Sequence, residues 1–270
     1  MLITKASGKK VTFDRKKYEK SLKRAGLSLA EVKKIGNQIY QDLYPEISSE
    51  KIYQKTKKYL RKRDRVFEAR YSLKRAIMEL GPDGYYFERY MAAVLREYGY
   101  QTKFNQFVYG KCVEHEVDII AVKDSKRYMI ECKYHSKGGQ ASDLKVALYT
   151  YARYLDLKNS QNFSEAILIT NTRCTSEAVK YAKCVGYKII SWNYPHTDGS
   201  LQRFVEGKNL YPVTVLPSMA NHLKRRFRDE NIILLSDLLK FNENKLAKKF
   251  KIKNSLASRL LEEARKLDQS

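Results

Sequence analysis

Long apolar runs, paired cysteines and negative charge are all scarce in this chain. No stretch of eighteen apolar residues occurs, so no membrane-spanning helix is expected and a membrane is not an expected partner. The N-terminus is rich in lysine and lacks an apolar core, which argues against a signal peptide. Cys112, Cys132, Cys174 and Cys184 share no CxxC spacing, so a zinc ribbon is not expected. Without a secretion signal they read as reduced thiols of a cytoplasmic protein. The acids are the more telling shortage: 30 Asp and Glu face 53 Lys and Arg, for a net charge of +23.

That charge is unevenly placed. Residues 1–84 carry +12, residues 85–202 only +4, and residues 203–270 carry +7. Basic flanks around a nearly balanced centre point to a polyanionic partner held with salt-dependent affinity. A solvated lysine-rich surface is the plain alternative. At 270 residues, two or three small domains are expected rather than one.

The chemistry concentrates in the centre. Val113–Val122 and Tyr128–Lys133 are two apolar runs, each with an embedded acid, flanking the polar turn Lys123–Arg127. They read as a buried β-hairpin. Glu131 and Lys133 project from one side of their strand, ~6.6 Å apart along it, and Asp118 on the paired strand can reach the same edge. Two carboxylates beside a lysine amid Ile, Val and Met need a compensating charge. Mg²⁺ suits such hard oxygen ligands and keeps waters for a phosphate-bearing substrate; Mn²⁺ is the alternative ion. Lys133 could hold an attacking water or steady charge developing on phosphate. Two ordinary strands with a Glu131–Lys133 surface salt bridge remain the bland reading.

Asp118-(x12)-Glu131-x-Lys133 resembles the PD-(D/E)XK nuclease motif. Upstream, Gly84–Tyr90 opens an amphipathic helix ending Glu97–Tyr100, similar to the first helix of Mrr-type restriction endonucleases. Downstream, Ala166–Asn171, a helix over Thr175–Val185, and Gly186–Trp192 resemble that family's closing strand–helix–strand. The likeness covers residues 82–195 and implies catalytic roles for Asp118, Glu131 and Lys133. It also implies metal ligation by Asp118 and Glu131, with Glu88 as a third carboxylate or else a helix-surface charge. Glu114–His115–Glu116 replaces the glycine-rich turn common before the acid. Around the site, Gln140, Lys145 and His135 are candidates for DNA contact; for His135 a structural hydrogen bond is equally open. Leu144, Ala147, Leu148, Tyr151 and Leu155 form a helical stripe expected to be core.

The N-terminal part reads as two short strands, Leu2–Lys5 and one ending Val11–Phe13, then four helices. Asp14 and Ser48 or Ser49 serve as N-caps, and Gly81–Gly84 as a breaker. Ile3–Asp14, with Ala69–Arg70–Tyr71 in the last helix, resembles the ATP-cone of ribonucleotide reductases and their repressor. The resemblance implies ATP or dATP as effector, with Lys5, Lys17 and Ser48 at the phosphates. Ala6 stands where the module usually has a second basic residue. Cones act through association, which leaves a homo-oligomer open. After Pro195–Gly199, short helical patterns resume, with a small core of their own expected. Ile232–Leu239 followed by Leu246–Phe250 resembles a helix-hairpin-helix module, a binder of DNA backbone or of a protein, with Lys251–Asn254 where the hairpin glycine usually lies.

The expected architecture is therefore α/β. An ATP-cone-like domain spans 1–82, a restriction-endonuclease-like α/β sandwich 83–200, and a small all-α, helix-hairpin-helix-like domain 201–270. The expected function is a metal-dependent endonuclease acting on DNA, double-stranded by preference and regulated by ATP or dATP. A nucleotide-responsive DNA-binding regulator with an idle nuclease fold is the alternative. An RNA-directed nuclease is a third, although nothing resembles an RNA stacking platform.

Overall fold

A computed structural model describes residues 1–5, 7–196 and 198–269; Ala6, Thr197 and Ser270 lie outside the described residues. Strands β1 (Leu2–Thr4) and β2 (Lys10–Thr12) form an antiparallel hairpin. Each following helix starts at a short polar side chain that satisfies a free N–H. Asp14 accepts from Lys17 N to open α1 (Arg15–Arg24), and Ser28 forms a capping box with Glu31 at α2 (Leu29–Gln41). Ser48 accepts from Lys51 N at α3 (Ser49–Arg63), and Asp64 from Val66 N at α4 (Arg65–Met78). Tyr18, Leu22, Val32, Ile39, Ile52 and Leu60 close one core. Phe67 and Tyr71 of α4 pack against it, but the fully buried residues of that helix do not join it. Ala69, Leu73, Ala76 and Ile77 belong to a second core that runs through the rest of the molecule.

The centre follows the expected order: α5 (Tyr85–Glu97), β3 (Gln101–Tyr109), β4 (Glu114–Lys123), β5 (Lys126–Lys133), α6 (Leu144–Leu157), β7 (Glu165–Thr170), α7 (Ser176–Val185) and β9 (Lys188–Ile190), with two-residue strands β6 (Ala141–Ser142) and β8 (Arg173–Cys174) paired apart. The main sheet runs β3-β4-β5-β7-β9, antiparallel through β5 and parallel beyond it. Asp124 and Ser125, at φ +50° and +59°, turn β4 into β5. A two-residue turn with both φ positive matches the right-handed twist of the strands it joins. Phe87, Tyr90 and Met91 of α5 cover Ile119 and Ile130 on one face; Ala147 and Tyr154 of α6 and Ala178 of α7 cover Ile120, Met129 and Leu168 on the other. This is the expected α/β sandwich.

Two expectations fail. Leu144, Leu148 and Leu155 are exposed, while α6 meets the sheet through Ala147, Thr150, Arg153, Tyr154 and Leu157. Its sequence is apolar around most of its circumference, so periodicity does not select the buried face. The C-terminal helices α8 (Leu201–Glu206), α9 (Asn221–Asp229), α10 (Leu235–Leu239), α11 (Glu243–Phe250) and α12 (Asn254–Asp268) close no core of their own. Leu223, Phe227, Phe250 and Leu260 continue the core that holds α4, α5 and one sheet face. Helices this short bury too little apolar surface alone and gain it by docking. Among the described residues no helix is long and apolar enough to cross a membrane, and the four cysteines are free.

Candidate active site

Strand alternation puts Glu131 and Lys133 on the face of Met129, the side covered by α6. Pairing between β4 and β5 runs from Lys123–Lys126 to Ile119–Ile130 and stops before Asp118. The β3–β4 register likewise passes over Asp118 opposite Asn105, which sits at φ +53°. Asp118 is thus released from the ladder on both sides. Its carboxylate turns back to accept from Cys132 N at 2.7 Å, between Glu131 and Lys133. The three residues expected from spacing do meet at one end of the sheet. The bland salt bridge is absent: Glu131 pairs with Arg153 of α6, whose Nη1 donates to it.

Arg153 is the residue that sequence reasoning missed. It is 8 % exposed, and its Nε has no hydrogen-bond partner among the described residues. A lone arginine on a helix between Thr150 and Tyr154 was the available signal, hidden by the misassigned face. Glu88 approaches from α5. Burial, followed by the charges of Asp118, Glu116, Glu131 and Asp83, pushes its carboxyl up to about 7. Glu131 is raised by burial and by Asp118 against the opposing pull of Arg153 and Lys133, and Asp118 is raised chiefly by burial. Repelling carboxyls with one buried guanidinium for compensation are short of positive charge.

This donor set suits a hard divalent cation in its chemistry. It is not gathered as a cage, and among the described residues no three His, Cys, Asp or Glu side chains are placed to hold an ion. One oxygen of Asp118 is engaged by Cys132 N and one of Glu131 by Arg153. Asp118, Glu131 and Glu88 are the carboxylates this end of the sheet offers to such an ion, with Arg153 bound to Glu131.

The other candidates spread around this centre. His135 is held structurally: its backbone exchanges hydrogen bonds with the Asn171 side chain at 2.9 Å, and its Nε2 lies 3.1 Å from Ser142 Oγ. Burial and the Lys133 charge lower its pKa, against a hydrogen bond with Gln140 that raises it. Lys133, Gln140 and Lys145 are exposed. Ahead of β4, Asp156 accepts from Cys112 N at 2.9 Å and lies 2.8 Å from His115 Nε2, pinning to α6 the segment that replaces a glycine-rich turn. Gly110 is required there, since a Cβ would stand 2.0 Å from the Asp156 carboxylate. In the N-terminal part, Ser48 serves as the α3 cap, Lys5 follows β1 beside the hairpin turn, and Lys17 faces a cavity between the N-terminal and central regions.

Comparison with known proteins assigns the classes. Residues 81–195 match the restriction endonuclease catalytic family of the Mrr type, and residues 1–79 match the ATP cone domain. Residues 211–267 match the AF1548-like C-terminal domain. An uncharacterized protein of Archaeoglobus fulgidus is 42% identical over 156 residues, 58% of this chain and 87% of its own length. The crystal structure of AF1548, a protein of unknown function, is similar at TM-score 0.59 and 35% identity, over 70% of this chain and all of that one. The chain belongs to the AF1548-like family of proteins with a restriction-endonuclease-like domain, and it carries an ATP cone as well.

Proposed function

We propose that this protein is a divalent-metal-dependent DNA endonuclease, with domains at 1–82, 83–200 and 201–270, regulated by ATP or dATP and working in the cytoplasm. The observation that carries the reading is the release of Asp118 from both ladders, so that its carboxylate lies against Cys132 between Glu131 and Lys133. Asp118, Glu131 and Lys133 are the catalytic residues, and Asp118, Glu131 and Glu88 would hold Mg²⁺ or Mn²⁺. When bound, the ion supplies charge neutralisation at the scissile phosphate. Lys133, exposed at the end of β5, orients the attacking water and stabilises charge developing on phosphate. Water oxygen bonds to phosphorus as it gives up a proton to solvent, the bridging P–O bond breaks, and the departing oxygen takes up a proton from solvent. Gln140, Lys145 and His135 line the approach of a duplex. The basic C-terminal helices add contacts to its backbone or to a second copy of the chain. Lys5, Lys17 and Ser48 serve the nucleotide.

Arg153 favours a second reading. A guanidinium bound to Glu131 is what a retired metal site would keep, leaving a nucleotide-responsive DNA-binding regulator. Plasmid nicking with Mg²⁺, Mn²⁺ or EDTA, with and without ATP, separates the two. Metal-dependent products that vanish in Glu131→Ala and Lys133→Ala support the enzyme; DNA retention without product supports the regulator.

A further inference from the structure

Between the cone, the nuclease-like centre and α8 lies a cavity of about 1110 Å³. Its walls carry Lys17 and Arg24 from α1, Lys74 from α4 and Lys137 from the segment after β5. None of these four makes an ion pair among the described residues. The acids of the same walls are partly matched within them: Glu50 and Glu79 bind Arg75, itself a wall residue, and Glu206 accepts from Gln202 and feels the charge of Arg24. Lys74 opens onto the cavity solvent, yet the walls enclose its ammonium. That enclosure, with the charges of Lys17 and Arg173, lowers its pKa. Its ammonium sits 5.7 Å from the centre of the Trp192 ring. Wall cations in excess of the wall acids Glu50, Glu79 and Glu206 mark a place for an anion carrying several charges. Trp192 and the stacked Tyr53–Tyr71 pair, 5.5 Å between ring centres, add apolar surface of the kind a base needs. The size is slightly above the small-molecule range of about 300–1,000 Å³.

The nuclease side of this cavity is continuous with the catalytic strand. Lys137 follows Lys133 by four residues. In between, the Tyr134 hydroxyl bonds to Met78 O and, at 3.0 Å, to Gly81 O at the end of the cone. Gly139, at φ +89°, faces Ser7 of the hairpin turn, and Gly138 faces Met78; a Cβ at either would stand 3.7 Å from them. The segment 134–140 is therefore clasped by the cone at both ends.

We propose that this cavity is a nucleoside-polyphosphate site completed by the nuclease domain, with Lys137 and Trp192 as its second wall, so that occupancy fixes segment 134–140 and is felt at Lys133. The inference rests on the nucleotide reading above but places the ligand between domains rather than within the cone.

Trp192 is the single tryptophan, so its fluorescence reports on the cavity directly. The full chain is titrated with ATP, dATP and inorganic tripolyphosphate, with parallel calorimetry and amide exchange on residues 134–140. Saturable change in Trp192 emission and slowed exchange in that segment are expected. Lys137→Ala and Lys74→Met should each weaken both ATP and tripolyphosphate about tenfold, the usual scale of a lost charge-assisted contact. Calorimetric binding of ATP that is equal in wild type and both variants would overturn the shared site and leave a cone-only nucleotide reading standing. No heat from any of the three ligands with wild type would sink both. Emission that responds to duplex DNA alone would overturn the proposal in favour of a polynucleotide contact.

Discussion

At one end of the sheet, Asp118, Glu131 and, from α5, Glu88 repel one another around a single buried guanidinium. Six residues beyond Glu131, cations outnumber acids in the walls of a cavity. The two regions share a chain segment and have opposite deficits. The acidic end lies in apolar surroundings, where an uncompensated charge is costly, and so its carboxyls shift toward their neutral forms. The basic end opens to solvent, where unpaired ammonium groups persist at small cost. A molecule of net charge +23 thus concentrates negative potential where the nuclease reading needs a cation and leaves positive potential where the nucleotide reading needs an anion.

The comparison can be broken most severely at the acidic end. Lys133→Ala or Glu131→Gln should lower Mg²⁺-dependent plasmid cleavage by at least about 10²-fold, with duplex binding in gel shift little changed. Cleavage at the wild-type rate in either variant would remove the assignment. Next in size is Arg153→Met. Stripping the guanidinium from Glu131 should cost about 2 kcal/mol by urea unfolding in EDTA, below the full penalty of a wholly buried pair. Excess Mg²⁺ should recover most of that loss, because the freed carboxylate takes the ion instead. A variant as unstable in Mg²⁺ as in EDTA would speak against ligation by Glu131.

The pH response sharpens the contrast further. Glu88, raised from 4.5 to about 7, keeps a proton in the folded chain that the unfolded chain has already released. Its contribution is fully present below pH 4.5 and is lost as pH rises through about 7. The metal-free melting temperature should therefore fall between pH 5 and pH 8 on this account, and less steeply in Glu88→Gln. The smallest effect belongs to the cavity. Lys74→Met removes an ammonium repelled by Lys17 and Arg173 and should leave stability within about 0.5 kcal/mol of wild type by urea unfolding, or raise it slightly.

Much of this layout is legible from local pattern. The polar caps Asp14 and Ser48 mark helix starts, the alternation around Lys123–Arg127 marks the β4–β5 hairpin, and Asp118, Glu131 and Lys133 fall together as their spacing requires. The α6 face is not legible, because a helix with apolar residues on several sides gives no direction to its moment, and with it goes Arg153. The shared core is equally hidden, since Phe227 and Leu260 read as apolar whichever neighbour they meet. The cavity is drawn from three separate stretches of sequence, one reaching Glu79, one at Ser136–Gln140 and one from Trp192, so no short window contains its signal.

The way α4 is shared has a practical sequel. By sequence match it closes the ATP cone, while Leu73, Ala76 and Ile77 are seated in the core common to the sheet and the C-terminal helices. Cutting the polypeptide at Gly81–Pro82 would leave Phe67 and Tyr71 against the cone core but strip the opposite face of that helix of its packing partners, and open an apolar face on each fragment. Such modules cannot be shuffled between chains as free-standing cassettes. A graft of this sensor onto another enzyme would have to bring along the surface against which α4 is seated.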